Sequence, residues 1–424
     1  MKIKSLILTL LLSISSLSYA EGNTAALDTG NTAWVIVATA LVLLMTIPGL
    51  ALFYAGMVRK KNVLSTMGHS LTSAAVVSVL WVIVGYSLSF SEGNFFIGGF
   101  DKWMLHHIRP DTLLNGIPEI LFVLFQMTFA IIAVAIISGA IADRMKFSAW
   151  MYFISAWVVL VYAPVCHWIW GGGWLGSKGA LDFAGGTVIH INAGVAGLVL
   201  AYMLGQRMGL GRESMAPHNL TLTIIGACFL WVGWFGFNGG SALAANGTAA
   251  YALINTQLAA AAATLAWLLV ERIHRGKGSI LGAVTGSIAG LVVITPAAGY
   301  VDVQGALLMG FIGGVICFYS VTILKYKLKI DDALDAFALH AIGGLVGAVL
   351  TGWFASELLM GDNAPHTIFH QLWIQVEGVL ATTVYSAILT FVIAKIIDKT
   401  VGLRVDRDAE REGLDLSQHG ERVE

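Results

Sequence analysis

Charge is scarce in this chain: only 12% of its 424 residues are Asp, Glu, Lys or Arg, against roughly 25% in a soluble domain. That scarcity excludes an ordinary water-soluble globule. The few charges nearly cancel, leaving a net charge of −1, so there is no basic excess with which to bind nucleic acid. Cysteine is equally sparse. Cys166, Cys228 and Cys317 lie in or beside apolar runs with no metal-type spacing, and all three read as small core residues. The adjacent His106 and His107 lack further ligands nearby, so the sequence implies no metal and no cofactor. Paired Asp and His residues keep an intramembrane hydrolase in view, but no nucleophilic Ser or Cys pattern or metal triad accompanies them, and an enzyme is not expected.

What the chain does contain is apolar sequence: 57% of residues are hydrophobic and 48 are glycine, a composition of membrane helices, where glycine lets backbones approach closely. The first twenty residues, "MKIKSLILTLLLSISSLSYA", carry two lysines, a short apolar stretch and Ser18-Tyr19-Ala20. This is the pattern of a cleaved signal peptide, and it puts the mature amino terminus outside. Runs of about 20 residues are needed to cross a bilayer. They fall near 33–56, 66–90, 118–141, 148–169, 184–205, 219–237, 248–270, 279–295, 304–325, 333–355 and 367–397, the eighth being the shortest. Eleven crossings then leave residues 401–424 as a charged cytoplasmic tail. Lys and Arg distribution tests this topology independently: thirteen such residues, among them Arg59, Arg144, Arg207 and Lys325, fall in inner loops, and three, Lys102, Arg109 and Lys178, in outer ones.

Two stretches repeat. "DFAGGTVIH" runs from Asp182 to His190 and "DALDAFALH" from Asp332 to His340, each with glycines four and seven positions after the histidine. His190 lies on the fifth span and His340 on the tenth, so the repeat unit is five helices, about 33–205 and 219–355, with the eleventh outside it. An odd number of crossings inverts the second copy, a common build of transporters with the working site between the halves. Eight helical residues correspond to about 12 Å. Starting from opposite faces, the two descents reach similar depth, which predicts that His190 and His340 meet near the midplane. Ionisable groups there are costly and mark a pathway. Asp182 and Asp332 are expected to cap their helices, with Asp335 sharing the second cap.

Aromatic residues gather toward the outer side. Phe125 and Phe129 are four apart on one helix face; Trp170 ends the fourth span, and Trp234, Phe237 and Ser241 end the sixth. Besides acting as belt anchors, such residues beside Asp182 suit a cation site of aromatic faces and one hydroxyl acceptor. Ammonium donates hydrogen bonds and fits that site better than potassium. Below it, two neutral histidines in an apolar conduit can relay a proton and guide ammonia, but cannot replace the hydration shell of a metal ion.

With "IPGLALFYAGMVRKKNVLS", "GGGWLGSKGALDFAGGTVIHINAG", "GWFGFNGGSA", the Asp332–His340 segment and "VGLRV…EGLDLSQHGE" in place, the chain resembles the Amt/MEP/Rh ammonium transporters, on the bacterial Amt branch. The resemblance implies an all-α polytopic membrane protein of eleven helices in two inverted five-helix repeats plus an eleventh packing helix, assembled as a homotrimer in the inner membrane. It implies an outer ammonium site of Phe129, Trp170 and Ser241 supported by Asp182, a gate of Phe125, Phe129 and Phe237, a pore wall at Trp234, and twin histidines His190 and His340. Its tail resembles the element that helps a PII-type signal protein dock. Trp170 separates it from Rhesus-type gas channels, which generally lack it. A sensor signalling through the tail and a neutral gas channel are the alternatives, and neither the residues nor the family assigns a role to Glu377.

Overall fold

The computed structural model describes residues 26–423; the expected signal peptide, residues 1–20, lies outside them. Among the described residues ten helical segments are long and apolar enough to cross a membrane: Thr29–Met57, Lys60–Phe90, Glu119–Ile141, Phe147–Ser177, Gly186–Leu204, Leu220–Gly239, Gly247–Arg275, Val303–Leu328, Phe337–Phe354 and Ile368–Thr400. With the shorter Ile280–Ile294, which falls eighth in order, they make the eleven spans of a multi-pass membrane protein. The eighth helix stops where Pro296 denies the chain an N–H to continue. Elsewhere the helices outrun the apolar stretches because polar residues cap them. Asp28, Asn219, Asn246, Ser279 and Asp302 each accept a backbone N–H three positions on, and the seventh span runs five residues past its expected end to a left-handed Gly276.

Spans one to five and six to ten form two halves of opposite orientation, and the eleventh packs against spans five and ten. The halves meet where span five crosses span ten, and the glycine four residues after each histidine makes this crossing. A Cβ on Gly194 would sit 2.4 Å from the Ala341 nitrogen, and one on Gly344 would sit 2.6 Å from the Gly186 carbonyl oxygen. Any side chain at either position would push the two histidine-bearing turns apart. The same crossing, read from either half, is the physical content of the repeat.

The charged tail is folded against the bundle. Val405 donates its N–H to the Arg144 carbonyl at 3.0 Å, and the Leu403 carbonyl accepts from Lys146 at 2.9 Å. Asp415 accepts the N–H groups of Leu64 and Ser65 at 3.0 and 2.7 Å, supplying carboxylate oxygens to the open start of the second span. The Arg404 guanidinium reaches the carbonyls of Leu204 and Gln206 and the buried carboxylate of Glu410. Two short helices, Arg407–Glu412 and Leu414–His419, hold this arrangement.

Some sequence expectations change here. Cys166 and Cys317 are buried, but Cys228 is exposed on the outer face of its helix, because hydropathy does not distinguish a bundle core from a lipid-facing surface. His106 and His107 sit exposed with their rings in contact, Nδ1 to Nε2 3.3 Å. Glu377 accepts a hydrogen bond from the Lys178 ammonium at 2.5 Å. Glu119 is buried, with Tyr86 Oη at 2.7 Å and Lys102 Nζ at 2.5 Å.

Candidate functional site

On the face opposite the tail a cavity of about 580 Å³ opens between spans three, four, five and six, lined by Phe125, Phe129, Trp170, Asp182 and Ser241 among others. Span three presents Phe125 and Phe129 on one helical face, with ring centroids 4.8 Å apart. Trp170 meets Phe129 edge-on, with centroids 6.1 Å apart and ring planes at 79°. The indole N–H of Trp170 is committed to the Asp182 carbonyl at 2.8 Å, so what it offers the cavity is ring. The Ser241 hydroxyl donates to the Phe237 carbonyl at 2.8 Å, which leaves its oxygen lone pairs free to accept.

At the floor of this vestibule Phe129 and Phe237 stack at 4.3 Å with planes 11° apart. Phe125 and Phe237 are fully buried, and Phe129 is nearly so. Beyond Phe237, 6.0 Å between centroids, lies His190. Its ring is parallel to Trp234 on one side, at 5.5 Å and 20°, and to His340, at 5.2 Å and 20°. Trp234 is held by a hydrogen bond from its indole N–H to the Thr295 hydroxyl at 2.9 Å.

The two histidines approach Nδ1 to Nδ1 at 3.1 Å. Both cannot be acceptors, nor can both be donors, so one ring carries its proton on Nδ1 and gives it to the other. A neutral pair therefore turns one bare Nε2 and one Nε2–H away from the shared bond. His190 Nε2 is buried and has no partner among the described residues. The pair is thus a proton-sharing unit with an acceptor to spare, set in a wall of aromatic carbon.

The backbone that carries these rings is unusual. His190 lies on a π-helical turn, Gly186–Ile191, His340 on another, Phe337–Ala341, and Phe237 on a third, Phe235–Gly239. The wider spiral of such a turn re-aims a side chain and loosens its own ladder; four others among the described residues, Met45–Leu50, Trp81–Gly85, Val158–Tyr162 and Ile323–Leu328, lie away from these rings. The helices also begin later than the doubled spacing predicts: four residues after Asp182 and five after Asp332. The descent expected as about 12 Å of helix is instead made first by non-helical chain inside the bundle. Unpaired backbone is tolerated there only if its polar groups are satisfied by protein. Asp182 does this for its repeat, with Oδ1 accepting Gly185 and Gly186, and Oδ2 accepting Thr187 and Val188, at 2.6–3.0 Å.

Asp332 repeats the arrangement, its two oxygens accepting Ala336 and Phe337 at 3.0 and 2.7 Å. Asp335 does not share this cap, contrary to the sequence expectation. It stands at φ 62°, and its carboxylate is drawn away by the Lys325 ammonium at 2.7 Å. Nor does Asp182 stand as a free anion at the vestibule, since its oxygens are committed to four amides.

Sequence reasoning missed Thr295, the support of Trp234, and Gln126, which lines the vestibule. For Gln126 a signal existed: an uncharged amide inside a 23-residue helix of high apolarity, Glu119–Ile141, is the kind of intramembrane polar group that marks a pathway. For Thr295, at the end of a short helix, none did.

The model of the Ammonium Transporter Family matches residues 33–424. An ammonium transporter of Aquifex aeolicus is 50% identical, covering 98% of this chain and 97% of the relative. One of Bacillus subtilis is 51% identical over 93% and 98%. Among solved structures, Saccharomyces cerevisiae Mep2 superposes with a TM-score of 0.84 at 35% identity, covering 91% of this chain and 89% of that one. A protein described as a sensor Amt superposes at 0.85 with 31% identity over 92% and 98%. The match over almost the whole chain, on a bundle of eleven spans, settles the assignment: the chain belongs to the ammonium transporter family.

Proposed function

We propose that the protein takes up ammonium at the vestibule and passes ammonia along the apolar wall, with the histidine pair handling the proton and net charge crossing the membrane. The observation that carries this reading is the unbroken order of parts: a cation-attracting aromatic vestibule, a stacked phenylalanine barrier, then a neutral histidine pair with a spare acceptor. Phe125, Phe129, Trp170 and Ser241 bind the cation through ring faces and one hydroxyl. Asp182 serves by building the floor of the site. Phe125, Phe129 and Phe237 make the passage dry, so that the ion must shed its proton or its water to enter, and Trp234 lines the wall beside the histidines.

The excess of Lys and Arg on the tail-bearing face, thirteen against three, supports a cytosolic tail, an external vestibule and an inner-membrane location, with residues 1–20 removed as a signal peptide. On this reading residues 21–400 are the transport domain and 401–424 a regulatory tail. The protein acts as a homotrimer with one pore per subunit, and the folded tail offers a PII-type signal protein a surface. A sensor role is the second reading, favoured by the tail's bonds to the start of span two and to the loops after spans three and five and by the likeness to a protein described as a sensor Amt.

Purified protein in liposomes on a solid-supported membrane tests the proposal. Ammonium jumps are expected to give a saturating current and potassium jumps none. The His190→Ala/His340→Ala double variant, shown to be folded and trimeric, is expected to lose that current. An undiminished current in it sinks the proton-relay role. Silence of the native protein with both ions leaves sensing or neutral gas conduction, which vesicle pH recording separates.

A further inference from the structure

The vestibule is short of hydrogen-bond acceptors. Asp182 has given both oxygens to backbone N–H groups. Trp170 offers a ring, because its N–H is bonded, and the Lys102 ammonium on the cavity wall is matched by Glu119. Ser241 retains lone pairs after donating to Phe237. Ammonium carries four N–H donors, and aromatic faces satisfy them poorly. A second protein acceptor is wanted. Among the described residues, Asn115, Thr248 and Tyr300 also line the cavity without a side-chain hydrogen bond but are exposed or half-buried, and the one buried side chain there with an unpaired oxygen is that of Gln126.

Gln126 is 8% exposed and makes no side-chain hydrogen bond among the described residues; its Oε1 is buried without a partner. A buried amide oxygen left unpaired costs about 1–3 kcal/mol, which an occupant able to donate would recover. Lying one residue beyond Phe125 and three before Phe129 on span three, Gln126 shares the cavity wall with both rings, Trp170 and Ser241. The terminal torsion of a glutamine is broad and roughly two-fold, and no bond pins it here. Either end of the amide can therefore face the cavity, and the occupant decides which: a cation turns the oxygen inward and the NH₂ away.

We propose that Gln126 is a further acceptor for ammonium, a specificity-determining residue that turns its amide oxygen to the ion and, with Ser241, distinguishes an N–H donor from a bare cation. This rests on the reading of the cavity as the ammonium site. Its chemistry separates it from the rings: aromatic faces attract any monovalent cation, whereas an acceptor held at a fixed point favours the ion that can donate to it.

The test compares ammonium currents of Gln126→Met, Gln126→Glu and Trp170→Leu with the native protein in liposomes, each variant first shown to have the native assembly size. Gln126→Met keeps the length and removes the acceptor. It is expected to raise the half-saturating ammonium concentration about tenfold, the loss of one hydrogen bond to a charged group, with the saturating current much less changed. Gln126→Glu, nearly isosteric, is expected to lower that concentration and to let potassium compete, because a full charge attracts both ions. A packing role predicts neither the split between half-saturation and maximum nor the opposite signs of the two variants. Native half-saturation in Gln126→Met, with Trp170→Leu shifted, overturns the role of Gln126 while leaving the cavity as the ammonium site. Native values in all three overturn the site itself. If Gln126→Met does not assemble, Gln126→Glu decides alone, and an unchanged half-saturation and unchanged potassium competition overturn the proposal.

Discussion

The middle of the bundle, where spans five and ten cross, and its tail-bearing face are held in opposite ways. Toward the middle of the bundle, His190 and His340 stand among Trp234 and Phe237, touching through one shared hydrogen bond, with polar valence left open. At the tail-bearing end, Arg207 just past span five and Asp331 just before span ten are locked together. Guanidinium Nε and Nη2 donate to the carboxylate at 3.0 and 2.8 Å, and the Arg207 backbone N–H donates at 2.7 Å. Asp143 extends the network to Arg59 at 3.0 Å and to Asn62. The fully buried Arg144 adds bonds to the Asp331 and Ala142 carbonyls, and burial lowers its pKa to about 10, against the pull of Asp331, so it stays charged at neutral pH. Buried charges must be paired and hydrogen-bonded to be tolerated. The network meets most of that demand, leaving Arg59 Nη2 and Arg144 Nε without a partner among the described residues, whereas the histidine pair rests on one shared hydrogen bond. The chain is anchored at the tail-bearing face, and the turns that carry the histidines, nearer the middle, keep open polar valence.

Removing the scaffold of the open region gives the largest effect. Asp182→Ala leaves four backbone N–H groups without acceptors inside the bundle, at about 1–3 kcal/mol each when buried. The expected outcome is protein that fails to assemble or melts far below the native, seen by size-exclusion chromatography and thermal unfolding in detergent. A well-folded Asp182→Ala that merely transports poorly would break the contrast, making Asp182 part of the passage instead of its scaffold.

Breaking the locked end comes next. Asp331→Ala removes the bidentate partner of Arg207, leaving it Asp143 at 3.7 Å, and is expected to cost about 3 kcal/mol, the lower end for buried pairs deprived of one partner. Burial opposes ionisation of Asp331, but the bidentate Arg207 beside it, with Arg144, holds its carboxyl below the usual carboxylate range. A carboxyl held low in the folded state contributes its stabilisation above the pH where the unfolded carboxyl titrates, near 4, and loses it as pH falls through the folded value. The native protein is therefore expected to keep this contribution at neutral pH and lose it below about pH 4, and Asp331→Asn to lose less than the native does over that acid range. Identical acid profiles would show that the network does not set the stability of this face.

At the open end, Trp170→Leu is expected to raise the half-saturating ammonium concentration about tenfold, the scale of one desolvated cation–π contact, with little change in melting. An unaltered half-saturation counts against the aromatic site. The smallest effect sharpens the comparison from outside both regions. Glu377→Gln removes the partner of Lys178 in a pair whose side chains are 29% and 49% exposed, and is expected to shift stability by less than about 1 kcal/mol.

The eleven spans, the repeat and the histidines at matched positions were all legible before any coordinates, since each depends on periodicity and spacing along the chain. The arginines illustrate the limit. Arg59, Arg144 and Arg207 read as markers of sidedness, which uses only their charge and position. In the fold they are interior nodes whose partners, Asp143 and Asp331, lie 84 and 124 residues away for Arg59 and Arg207. The sequence also made Asp335 a helix cap, because it could not reveal that Lys325, from the preceding span, would claim its carboxylate.

By itself, then, the sequence determined the membrane class, the number of crossings, the inverted repeat and the residues able to handle a cation and a proton, because composition, period and residue chemistry belong to the chain. Only the tertiary structure decided that the histidines share a hydrogen bond, that π turns aim them and Phe237, that Asp182 gives its oxygens to the backbone, and that Gln126 is left uncommitted in the vestibule. Those outcomes depend on which groups from distant segments reach one another first, and hydrogen-bond valence, once taken by a neighbour, is no longer available to the site.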